Sequence, residues 1–157
     1  MDVWYKNDMI ELEIDEMPAG KEIDDLIAER VMGWIRVWLR HDDGQTLGGH
    51  YPDIESCQRE CPPNFDPLQY WIEPNGGIFG KHEYNWKPSA SVADAWLVVE
   101  KLQLAVLPQW GEGFLVDTRT NSQLPFVECR CESAPLAICR TALKAIFASS
   151  PQFPSSS

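Results

Sequence analysis

The side chains able to do chemistry fall into three groups. Five cysteines stand at Cys57, Cys61, Cys129, Cys131 and Cys139, three histidines at His41, His50 and His82, and seven tryptophans are spread over 157 residues. His41, His50, Cys57 and Cys61 are all of metal-ligand type and share one stretch, and the gap between Cys57 and Cys61 suits a pair of zinc ligands. Only one such pair is present and the histidines precede it at irregular spacing, so incidental thiols are the plainer reading and no metal or cofactor is expected. Cys129, Cys131 and Cys139 read as small buried hydrophobes, and in a chain without an export signal the thiols are expected to be reduced.

Nucleophilic catalysis needs a base beside the thiol or hydroxyl. The histidines cluster in or next to the irregular middle of the chain, and no glycine-serine elbow, phosphate loop or dinucleotide fingerprint is present. No catalytic residue is assigned and an enzyme is not expected. Glu11, Glu13, Asp15 and Glu16 read as an acidic run that solvates a face.

The aromatics are more informative. Trp34, Trp96 and Trp38 fit helix stripes, whereas Trp71, Trp86 and Trp110, with Tyr70 and Tyr84, sit beside loops and glycines, where ring faces can line a pocket. Arg119 and Arg130 can add positive charge, and the start of a helix at Ser89 and Ser91 can turn N–H groups toward an anion. The candidate ligand site is therefore Trp71, Tyr84, Trp86, Ser89, Ser91, Trp110, Arg119 and Arg130. Core or interface packing is the competing explanation for the rings.

Positioning these residues requires elements, and three amphipathic helices are legible. The first has a buried stripe of Ile23, Ile27, Val31 and Trp34 with Glu22, Asp24, Asp25 and Glu29 on other faces. The second is capped by Ser91, with Asp94 three residues on, and carries Val92, Trp96, Val99 and Leu102. The third opens at Ser133-Ala134-Pro135 and buries Leu136, Cys139, Leu143, Ile146 and Phe147. Two hairpins are expected between them: Gln69–Ile72 with Ile78 and Phe79, and Phe114–Thr118 with Leu124–Arg130. Glycines and prolines make residues 41–85 a loop-rich elaboration. The fold class is α+β, three helices packed on a small, mainly antiparallel sheet, as a single domain over 1–148 with a mobile polar tail at 149–157.

Thirteen basic and 24 acidic residues give a net charge of −11, with ten of the acids in the first 30 residues. Nucleic-acid binding draws its affinity from cationic side chains, so long DNA or RNA is not an expected partner. No apolar run reaches membrane-spanning length and the first residues do not resemble a secretion signal, so no membrane and a cytoplasmic location are expected.

Three segments, Glu22–Trp34, Ser91–Leu102 and Ala134–Leu143, carry Val-Met-Gly-Trp, Ala-Trp-Leu-Val-Val-Glu-Lys and Ala-Pro-Leu-Ala-Ile-Cys-Arg in that order. Together they resemble the phage alpha-beta-alpha sandwich domain family, small phage and prophage proteins whose function is largely unassigned. The resemblance implies a helix-sheet-helix sandwich and brings no catalytic residues. The family's usual Ser-Thr-Asp-like opening of the second helix is replaced here by Ser89-Ala90-Ser91. The expected function is a non-enzymatic binding module that sequesters a small nucleotide-like molecule such as a host defence signal. The alternative is a protein-interaction factor or homo-oligomer.

Overall fold

The computed structural model describes residues 11–149 apart from 43–44, 52, 61–67, 74–79 and 83–84. It has the α+β class expected from the helical and alternating patterns, with helices and two antiparallel sheets. The described residues up to Met32 and from Lys87 onward make one compact unit, and those within Gly33–Trp86 make another.

In the first unit, residues 11–16 are helical (α1). Helix α2, Lys21–Leu26, runs into a π turn over Ile27–Val31, with the Met32 N–H donating to the Ile27 carbonyl at 3.0 Å. Ile23, Ile27 and Val31 are buried as their spacing predicts. Gly33, at φ +73°, takes a left-handed conformation that few other residues adopt, and the helix ends before it. Trp34 is buried too, but beyond the helix and in the other unit.

Helix α4, Val92–Leu102, is capped as its sequence requires: Ser91 Oγ accepts the Asp94 N–H at 3.3 Å. Its buried face differs from the expected one. Ala95, Val98, Val99 and Leu102 are buried, whereas Val92 and Trp96 are exposed. Both sets have helical spacing, and the set with the smaller side chains lets the helix axis approach α5, Ala134–Ser149, against which α4 packs. At the other end of α4, Gln103 is left-handed at φ +54°, and the exposed carbonyls are satisfied from a distant loop. Thr120 Oγ1 donates to the Gln103 carbonyl at 2.7 Å and Asn121 Nδ2 to that of Leu102 at 2.6 Å.

Strands β5 (Ala105–Gln109), β6 (Gly113–Asp117) and β7 (Glu128–Cys131) form an antiparallel sheet in that order. β5 was not expected, because Pro108 reads as a helix stop; on an edge strand its missing N–H costs no ladder bond. Leu124–Val127 lie outside β7, whose pairing with β6 runs from Asp117 opposite Glu128 to Phe114 opposite Cys131. Gly113, at φ +89°, passes so close to the Cys131 and Glu132 backbone that any Cβ would collide with it. α5 starts with Ser133 Oγ accepting the Leu136 N–H at 3.3 Å and packs on β6 and β7. Thr141 Oγ1, fully buried, donates to the Val116 carbonyl at 3.0 Å. The last described residue is Ser149, so the rest of the expected tail lies outside the described residues.

In the second unit, much of the stretch read as loops is sheet. Strands β1 (Ile35–Asp42), β2 (Gln45–Tyr51), β3 (Leu68–Ile72) and β4 (Gly80–His82) pair in the order β2-β1-β3-β4, all antiparallel. Gly48 and Gly49 inside β2 interrupt the apolar alternation that would have announced a strand. β3 pairs with β4, Ile72 opposite Gly80, whereas the return residues expected for the first hairpin, Ile78 and Phe79, and its Pro74–Gly77 turn lie outside the described residues. Helix α3, Ile54–Glu60, opens with Asp53 Oδ1 accepting the Ser56 N–H at 2.7 Å. Among the described residues Trp34, Val37, Cys57, Trp71 and Trp86 are the buried apolar side chains here, with Trp34 and Trp86 edge to face at 4.6 Å between ring centroids. Among the described residues no helix is long and apolar enough to cross a membrane.

Candidate functional site

The candidate site lies in the first unit and begins with a helix that is apolar on nearly every face. α5 carries only two charged residues, Arg140 and Lys144, four apart and therefore on one side. Lys144 has a side chain only 8% exposed, and its Nζ lies 2.9 Å from Asp15 Oδ1 on α1. A buried ammonium is tolerated because this carboxylate offsets its lost hydration. The Arg140 guanidinium donates from Nε and Nη2 to the Met17 carbonyl at 3.2 and 2.8 Å, and its Nη1 lies 3.9 Å from Cys131 Sγ. Two cations of one helix thereby hold α1 and the start of the segment that follows it.

Edge strand β7 supplies the opposite wall. Its residues alternate, Cys129 buried between exposed Glu128 and Arg130. Asp15, Leu115, Glu128, Cys129, Arg130, Arg140 and Lys144 line an open cleft of about 360 Å³. Among the described residues three cations face two carboxylates in it, a local positive excess in a chain of net charge −11. Burial pushes the Cys129 thiol up, so it stays protonated and a poor nucleophile. The cleft is thus suited to holding an anion by charge and hydrogen bonds.

Of the eight residues of the expected ligand site, Arg130 lines this cleft and none of the other described ones does. Ser89 is buried: its N–H donates to Asp24 Oδ1 at 2.8 Å and its Oγ accepts the Gly20 N–H at 3.0 Å. Ser91 caps α4, and Asp94 Oδ2 accepts the Lys87 N–H at 2.8 Å. Of the N–H groups read as a cradle for an anion, that of Ser89 therefore already meets the Asp24 carboxylate, while that of Ser91 donates to the Lys87 carbonyl at 2.7 Å. Burial holds the Asp24 carboxyl above its usual range despite the Ser89 hydrogen bonds. Arg119 grips Asp117 from Nε and Nη2, at 2.7 to 3.0 Å. Trp110 stands 93% exposed at the β5–β6 turn. Trp71 and Trp86 belong to the core of the other unit, where Arg36 lies 5.0 Å over the Trp71 ring. Among the described residues, Trp71 Nε1 is the only buried side-chain nitrogen or oxygen lacking a hydrogen-bond partner. Tyr84, His50 and Cys61 fall outside the described residues or side chains, as does the His41 side chain, and Cys57 is buried. No group of three metal-ligating side chains occurs among the described residues.

Arg140 and Lys144 were missed by the sequence reading, and Asp15, read there as part of a solvated acidic run, pairs with Lys144. The available signal was the pair of cations at i and i+4 inside an otherwise apolar helix, which surface helices place on the wet side. A lysine next to Leu143 within the expected buried stripe is the anomaly that asks for a partner.

Among curated proteins nothing matches the chain. Among solved structures it is similar to a phage protein from Bacillus cereus ATCC 14579, at 20% identity over 81% of this chain and 86% of that one, with a TM-score of 0.44. The family model for the phage ABA sandwich domain matches residues 25–143, and the chain belongs to that family.

Proposed function

We propose that this protein is a non-catalytic binding module that holds a small anionic, nucleotide-like molecule in the cleft between α1, β7 and α5. One observation carries the reading: a nearly buried lysine ammonium, Lys144, forms part of the wall of a ligand-sized cleft in which cations outnumber carboxylates. The protonated Cys129 thiol favours binding over nucleophilic chemistry. Membership of a phage family makes host defence nucleotide signals the natural ligands to try.

The test is thermal unfolding with a panel of cyclic and ADP-ribose-type nucleotides. A ligand at a hundred times its Kd stabilises by about 2.7 kcal/mol, and the gain disappears in Lys144→Gln. If no member of the panel raises the midpoint, the reading is wrong.

A second reading, self-association, draws support from the exposed Val92, Trp96 and Leu97 on α4. Light scattering of wild type and Trp96→Glu tests it, and a strict monomer for both removes it.

A further inference from the structure

Asp15 and Lys144 border two clefts. Besides the one above, an adjoining cleft of about 410 Å³ is lined by Glu11, Leu12, Asp15 and Lys144. The ion pair is therefore a partition between two neighbouring spaces. Its halves differ in their access to water, since the Lys144 side chain is almost wholly enclosed while that of Asp15 is 44% exposed.

We infer that Asp15 is a displaceable counter-ion, which occupies Lys144 in the free protein and yields its place to an anionic group of the ligand. This rests on the anion-binding reading of the cleft and adds how the site is kept when empty. Enclosed as it is, Lys144 favours a charged partner, because an ammonium short of both water and partner is costly and cleft water offsets that cost only in part. Asp15 satisfies it through one contact from a separate element, 129 residues away in sequence. Being half in water, the carboxylate rehydrates readily when an incoming phosphate takes the ammonium. Arg130 and Arg140 lie on the same cleft to meet the remaining charge, and Glu128 opposes it. As Asp15 swings out, the partition opens and the two clefts join around Lys144. The carboxylate is then a built-in competitor that lowers affinity for anions and spares the empty site.

Calorimetric titration with inorganic pyrophosphate at fixed ionic strength tests this in the whole chain, comparing wild type, Asp15→Asn and Lys144→Gln. Removing the competing charge tightens binding about fivefold or more in Asp15→Asn. Lys144→Gln weakens it by more than about tenfold. Asp15→Ser serves as a second variant with the same expected direction should asparagine disturb α1. If wild type binds pyrophosphate and both Asp15 variants bind equally or more weakly, the counter-ion role is overturned while the cleft stands as an anion site. If neither wild type nor the Asp15 variants bind, cleft and counter-ion fall together.

Discussion

Two ion pairs of the first unit are built in opposite senses. At the end of β6 the acid is enclosed and the base is in water: the Asp117 side chain is fully buried and that of Arg119 is 51% exposed. At the cleft the base is enclosed and the acid is in water, as Lys144 and Asp15 show. Asp117 is held by a neighbour two residues away, which donates its backbone N–H as well as its guanidinium. Asp15 makes a single contact with a residue on another element. A buried acid with several local donors is a fixed structural joint, whereas a buried base with one half-hydrated partner is poised to exchange it.

The largest separation of the two should come from truncating the acids. Asp117→Ala leaves a turn N–H without its acceptor and is expected to cost about 2–3 kcal/mol in denaturant unfolding. Asp15→Ala is expected to cost only about 1 kcal/mol, because the cleft lets water reach Lys144 Nζ. Equal losses would erase the distinction between joint and exchangeable pair.

A smaller effect sharpens the same contrast through pH. The Arg119 guanidinium and N–H hold the Asp117 carboxyl below its ordinary value of 3.8. The folded state therefore releases this proton more readily than the unfolded one, so its contribution is complete above the ordinary range and is lost as the pH falls through it. Unfolding midpoints measured downward from pH 5 should drop more steeply in wild type than in Asp117→Asn. Asp24 has the reverse sign, since burial raises its carboxyl, and its contribution grows on acidification through the window between 3.8 and its raised value. Asp24→Asn, which keeps an oxygen for the Ser89 N–H, should make the acid loss slightly steeper; no change would place the Asp24 burial effect below detection.

Much of the fold was legible because its signals are local. The Ser91 and Ser133 caps and the Ile23-Ile27-Val31 stripe depend on residues three or four apart, and the structure keeps each of them. The face of α4 was misread because two helical stripes compete there, and only the distance of approach to α5 decides between them. β2 was hidden by its glycines and β5 by Pro108. Among the candidate site residues, Arg130 was found, but from a pattern of aromatics that mostly lie elsewhere. Trp71 and Trp86 fill the core of a unit of 54 residues, Gly33–Trp86, where large rings supply apolar area that a short chain otherwise lacks. The Asp15–Lys144 pair joins residues 129 apart, and no spacing rule reaches that far.

The most direct test of the cleft is an amide chemical-shift titration of the labelled protein with inorganic pyrophosphate. The account predicts saturable shifts at Asp15, at Glu128–Arg130 and at Arg140–Lys144, all absent in Lys144→Gln. Shifts centred instead on the indole N–H signals of Trp71 and Trp86, or no saturable shift at any residue, would contradict it.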